Sequence, residues 1–222
     1  LTSVIVPFAV DSDDVTNIEI GWKADLLDGS MRFNGNVFFV DVEKMQTTMF
    51  DPGITNLFFS DNAANAEVKG LEADLLWAPN SVDGLTISAA VSFLDTEVTD
   101  VLLPSNDVRA GDELAYAPEF QGNLQARYEW DLASGLLAHV MPHMATSSKS
   151  YSDIIRMNRD EIGSWTMLGI SAGVSSDTWS AELYVDNLTD ERAEIARNFV
   201  FDRQRVTYAR PRTVGARFIM NF

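Results

Sequence analysis

Apolar and polar residues alternate along most of this chain, and residues that favour turns interrupt the alternation at intervals. From Asn17 to Leu27, the side chains of Ile18, Ile20, Trp22, Ala24 and Leu26 point one way. Those of Asn17, Glu19, Lys23 and Asp25 point the other. A period of two is a β-strand with one apolar and one polar face. Asp28-Gly29-Ser30 forms a tight turn, its aspartate–glycine pair supplying the positive φ that a hairpin needs. The return strand sets Met31, Phe33, Val37 and Phe39 against Arg32, Asn34 and Asn36, and runs on to Phe50. The same pattern predicts strands over Ala66–Ala78, Leu85–Phe93, Phe120–Trp130, Leu136–Ser148, Trp165–Val174, Trp179–Asp186 and Thr213–Phe222. Pro142 cannot donate to a ladder and predicts a bulge or a sheet edge.

Nine strands result, joined by connections that alternate short and long. The short turns are Asp28–Ser30, Pro79–Gly84, Asp131–Gly135 and Ser175–Asp177. The long connections are Asp51–Ala64 (with Phe58 and Phe59 near its tip), Glu97–Ala117, Lys149–Gly163 and Asn187–Ala209. No helix-period segment of useful length interrupts them. This predicts an all-β, antiparallel up-and-down meander with two unlike rims, as in outer-membrane barrels with short periplasmic turns and long external loops. A soluble sandwich also alternates, so two further features carry the distinction. Carboxylates, arginines and amides stand at strand midpoints, which a wet lumen tolerates and a dry core does not. Trp77, Trp130 and Trp179 lie beside the short turns, with Phe222 at the same rim, as in an aromatic girdle. Trp22 sits deeper in its strand, and Trp165 lies near the opposite rim.

Composition narrows the function. The net charge of −17, from 16 Lys and Arg against 33 Asp and Glu, excludes the basic footprint that nucleic-acid binding requires. There is no cysteine, hence no disulfide framework, thiolate metal site or cysteine nucleophile. No run approaches the roughly 18 apolar residues of a membrane-spanning helix. The chain opens on Leu1 without a basic stretch leading into an apolar run, which predicts a piece of a longer protein. Residues 1–16 are expected to be an extracellular loop, and their Asp11, Asp13 and Asp14 lack the glycine and closing glutamate of a calcium loop. His139 and His143 point to one face of one strand, but roughly 13 Å apart, too far to share a metal ion. A surface-protease barrel would use an Asp–His pair, yet no motif sets a serine or aspartate beside His139. No catalytic group, cofactor or metal is expected.

The order and spacing of several segments resemble the C-terminal barrel portion of a TonB-dependent outer-membrane receptor. These are Asn17-Ile18-Glu19-Ile20-Gly21-Trp22-Lys23 before the Leu27-Asp28-Gly29 turn, and Val68-Lys69-Gly70-Leu71-Glu72-Ala73 leading to Trp77. Gly111-Asp112-Glu113-Leu114 precedes Ala117-Pro118-Glu119-Phe120, and Tyr184–Glu191 is followed by Pro211-Arg212-Thr213 and terminal Phe222. The resemblance covers essentially the whole chain as one barrel unit, with strands and loops over 17–222. It implies about nine strands of a roughly 22-stranded wall, without the plug domain or the short segment that contacts TonB. It further implies that a scarce ligand (a siderophore, cobalamin or oligosaccharide) binds at the external face and enters with TonB-derived energy. The implied partners are outer-membrane lipid, a small-molecule ligand, the TonB complex acting through the missing plug, and barrel-assembly machinery that reads Phe222. Candidate ligand contacts are Phe58 and Phe59 in the first long loop, Arg109 in the second, Tyr151, Arg156 and Arg159 in the third, and Arg203, Arg205 and Tyr208 in the fourth. Arginines suit anionic ligands and aromatics suit a chelate or sugar ring. The second reading is a self-contained passive barrel, porin-like or adhesive, and the third an extracellular soluble β-domain.

Overall fold

A computed structural model describes residues 9–51, 57–103, 107–133, 135–200 and 203–221. Among these residues thirteen strands form in chain order: β1 (Asp14–Leu26), β2 (Met31–Asp51), β3 (Leu57–Trp77), β4 (Leu85–Val101), β5 (Phe120–Asp131), β6 (Leu137–Ser147), β7 (Ser150–Tyr151), β8 (Glu161–Ile162), β9 (Trp165–Ser175), β10 (Trp179–Asp186), β11 (Glu194–Val200), β12 (Arg203–Tyr208) and β13 (Thr213–Met220). Nine of them make one sheet in the order β1-β2-β3-β4-β5-β6-β9-β10-β13, and β7–β8 and β11–β12 are separate two-stranded ribbons. Every neighbouring pair in the large sheet is antiparallel. No described helix is long and apolar enough to cross a membrane, which says nothing of crossing by strands.

Register fixes which residues share a face, because directly paired residues project to the same side. Ile20, Val37, Leu71, Phe93 and Phe120 form one outer row. Leu85, Tyr128, Val140, Ala172, Leu183 and Ala216 form another. Many of these side chains are exposed, Ile20 and Leu183 by about 70%. An apolar band of this kind is stable against lipid rather than water. At the short-turn rim Trp130 stacks with Tyr128, ring centroids 5.6 Å apart, and Trp179 with Phe218 at 6.2 Å. Phe222 lies outside the described residues. Trp22 belongs to the outer face at mid-wall, its indole lying where a Cβ on its partner Gly35 would stand. Gly84 has φ +80° at its turn, and a Cβ there would meet the Glu129 carbonyl.

Several strands extend further than their sequence suggests. The segment Asp51–Ala64 is not loop throughout: residues 52–56 lie outside the described residues, but from Leu57 on it belongs to β3, where Phe58 and Phe59 pair with Phe50 and Met49 of β2. At 21 residues each, these strands span roughly 70 Å, well beyond an apolar band of about 25 Å. The ladder shifts register between Val42 and Gln46, where Lys44 adopts φ 56°. There residues before β1 attach to the hairpin: Lys44 pairs with Asp11 at 3.0 Å, and the Asn62 amide donates to the Asp11 carbonyl. β1 itself begins at Asp14, so the expected loop over 1–16 gives way to strand sooner.

β4 likewise runs to Val101, into the segment expected as loop. The reason is a change of phase. Below Phe93 the odd positions of β4 are apolar and face outward. Above it Thr96 and Val98 are buried, while Asp95 and Glu97 face outward. Thr16, Asp41, Glu67 and Glu97 make the corresponding outer row across β1–β4. Pro142 occupies neither a bulge nor an edge. It lies in central β6, paired with Ile170, and the β5–β6 ladder resumes beyond it in the same register.

Candidate functional site

At the long-loop rim the connections fold into a cap with its own dry core. Ala63, Ala64 and Val98 are fully buried, and Val108, Ile154 and Ile155 pack with them, joined by partly buried Phe59, Leu103 and Leu114. Phe59 therefore packs inside this core, while Phe58 shares its strand. The cap also engages three of the seven polar residues expected to meet a ligand. Arg159 donates to the carbonyls of Glu113 (2.8 Å) and Asp153 (3.0 Å), and its guanidinium lies 3.8 Å over the Tyr151 ring. The Tyr151 carbonyl accepts from the Tyr116 N–H, tying the 148–164 connection to the one before β5. Arg156 approaches Asp112 at 3.9 Å, and its backbone N–H donates to the Asp107 carbonyl. Arg109 is exposed.

β11 and β12 form a hairpin above β10 and β13, which pair directly with each other. Arg203, Arg205 and Tyr208 are exposed on it. Arg197, not singled out from the sequence, is better tied than any of these. It pairs with Glu194 at 2.5 Å and Asp160 at 3.5 Å, and its hydrogen bond to Glu194 raises its pKa above the usual arginine value. Lys149 is likewise raised, chiefly by its hydrogen bond with Tyr151. Neither group titrates near neutrality, so both stay charged across physiological pH.

The other face of the sheet is polar and lines a cleft of about 910 Å³. Lys23, Asn34, Asp74 and Asn123 form one inner row, and Asn36, Glu72, Ser92, Gln121 and Trp165 the next. Asn34 donates to Asp74 and Asn36 to Glu19. Further round the wall His139 and His143 are each opposed by a carboxylate two strands away. His139 Nε2 lies 3.1 Å from Glu182 Oε2, and His143 Nε2 lies 3.6 Å from Asp186. Both contacts cross β9 because Gly173 and Gly169 stand between the partners and leave room for the imidazoles. Ser171 and Arg217 converge on Glu182, each at 3.2 Å. The Ser171 hydroxyl is thus given to the carboxylate rather than to His139, which is not a nucleophile–base arrangement. Alternating glycines on β9 opposite two histidines were the available sequence signal for these pairs.

The wall, its two unlike rims and its polar inner face are matched by a sequence profile of TonB-dependent receptor-like β-barrels over residues 11–188. The chain belongs to that family. Members are outer-membrane β-barrel receptors, and that is where this wall resides. No relative is found by sequence among curated proteins. Among solved structures, the ferric yersiniabactin uptake receptor FyuA from Yersinia pestis superposes with a TM-score of 0.75 at 18% identity. That match covers 95% of this chain and 30% of the receptor. The siderophore receptor PiuA of Acinetobacter baumannii gives 0.69 at 19% identity, over 92% of this chain and 28% of its own. BauA, the ferric preacinetobactin receptor from the same organism, gives 0.68 at 18%, over 92% and 29%. At these identities the likeness is one of fold, and the chain spans less than a third of each receptor.

Family membership gives the closing segment of this TonB-dependent receptor wall a physical reading. Asn187, at φ 51°, donates to the carbonyls of Glu191 and Arg210 and accepts from the Glu191 N–H. Asp190 accepts from the Arg212 N–H. The two halves of the motif, 186–191 and 211–213, are therefore the sewn base of the last external loop.

Proposed function

We propose that this chain forms part of the barrel of an active-transport receptor. It takes a scarce ligand at its external face and passes it inward with TonB-derived energy, through a plug domain supplied by the whole protein. The observation that carries this reading is the family match across the wall, joined to loops that fold into a cap rather than standing free. A ferric siderophore is the favoured ligand class, because FyuA and BauA are receptors for ferric yersiniabactin and ferric preacinetobactin and PiuA is a siderophore receptor. Cobalamin and oligosaccharides are the alternatives within the same transport mode. Arg109, Arg203, Arg205 and Tyr208, exposed on the external side, are the ligand contacts favoured by their accessibility. Tyr151, Arg156, Arg159 and Phe59 belong to the cap that holds them, and Phe58 sits beside Phe59 on β3. Lipid meets the apolar outer rows, and Phe222 serves barrel assembly.

The test is uptake by cells that carry or lack the full gene, with or without functional TonB, offered radiolabelled ferric siderophores, cobalamin and oligosaccharides in parallel. Saturable uptake of one class that needs both gene and TonB is expected. Gene-dependent flux that ignores TonB and does not saturate would replace the receptor with a passive pore.

A further inference from the structure

The β11–β12 hairpin contributes nothing to the membrane wall. It is a separate ribbon, and β10 and β13 close on each other beneath it. What fixes its position must therefore lie in other loops. Pairing in the hairpin sets Arg197 with Val206 and Phe199 with Gln204, which puts Arg197 and Gln204 on one face. Asn198 pairs with Arg205 and Val200 with Arg203, which puts both arginines of β12 on the opposite face. The first face meets one carboxylate. Asp160 accepts from Arg197 at 3.5 Å and from the Gln204 amide.

Asp160 is itself held firmly. Its N–H donates to the Ser152 hydroxyl at 2.9 Å, its carbonyl accepts from the Ser152 N–H at 3.0 Å, and Ser152 and nearby Ile154 are buried. A second tie comes from the connection before β5, where the Tyr116 hydroxyl donates to the Arg197 carbonyl.

We infer that Asp160 is a positioning residue, latching the β11–β12 hairpin by one face so that Arg203 and Arg205 are presented, already ordered, on the other. The inference rests on the receptor reading for its use: two guanidiniums held in advance lower the ordering cost of gripping an anionic ligand. The latch itself is a claim about the ligand-free protein.

It is tested without any ligand, on intact cells displaying the full-length protein, by following tryptic cleavage after Arg203 and Arg205. Cleavage of a segment that opens transiently tracks the population of the open form. Asp160→Ala removes a charge-assisted acceptor and should speed cleavage at both arginines about tenfold. Cleavage after Arg109, in another loop, should not change. Asp160→Glu should restore most of the protection, and Gln204→Ala, at an exposed position away from the wall, should speed cleavage about threefold. Heat-modifiable migration confirms that each variant still forms its barrel. If Asp160→Ala misassembles, Gln204→Ala carries the test alone. Equal hairpin cleavage in wild type and in every assembled variant would overturn the latch, while leaving the transport reading untouched.

Discussion

Asn187 shows how much of a loop one short side chain can hold. It is almost fully buried, and its amide satisfies groups from both ends of the final connection. Asn187→Ala strands those groups and places alanine at a positive φ, so a loss of about 2–3 kcal/mol is expected. Thr189→Ala, exposed in the same turn, should stay within about 0.5 kcal/mol. Denaturant midpoints of the refolded barrel in detergent decide it, and equal losses would remove the special role of Asn187. The glycines of the inner wall make a comparable contrast. A Cβ at Gly173 would stand 2.5 Å from the Ala181 carbonyl oxygen and 2.8 Å from the His139 ring, whereas at Gly163 it would meet nothing. Gly173→Ala should cost about 1–3 kcal/mol through overpacking, and Gly163→Ala should be neutral or slightly stabilising. Matching melting temperatures for the two variants would contradict the tight passage of His139 across β9.

At the level of elements, the change of phase in β4 separates two environments on one strand. Phe93 is an exposed member of the apolar outer band, and Asp95 is the next outward residue above it. Phe93→Arg should cost about 2–4 kcal/mol and Asp95→Arg at most about 1 kcal/mol, the depth dependence of charge on a lipid-facing wall. Folding free energies in liposomes check this, and a penalty at Asp95 as large as at Phe93 would move the membrane boundary. The same inversion explains which elements were legible. Nine strands follow from alternation because a lipid-facing row must be apolar along its length. Their upper ends do not, because above the band the apolar residues switch sides and carboxylates face outward, which reads as polar loop. Lys69 shows the ambiguity: its ammonium pairs with Glu67 at 3.0 Å and lies over the Phe39 ring. The β11–β12 ribbon escapes for another reason. Its weak alternation is stabilised by Asp160, which is distant in sequence, and no periodicity encodes that contact. His139 and Glu182 meet only because β9 intervenes with a glycine, so their contact requires the strand order.

For the whole molecule, the family was legible because its motifs are structural: turn glycines, a sewn loop base and paired wall residues each hold a backbone geometry that this wall requires. The ligand was not, because the exposed arginines of the cap obey no such constraint. Among the described residues the sheet is open, with β1 and β13 at its edges. Such edges are untenable in lipid, so further strands from the intact receptor must cover them. The outward polar row Thr16–Asp41–Glu67–Glu97, three of its four members carboxylates, has a last consequence, for vertical placement. From Trp77 to Glu67, β3 rises roughly 33 Å along its axis, and barrel tilt reduces that to about 25 Å of depth. Aromatics below and carboxylates above thus act as two waterlines on a hull of ordinary height. Such a hull fits the usual outer-membrane band of about 25 Å, and in a thicker bilayer the surrounding lipid would have to dimple toward the protein rather than the carboxylates sink.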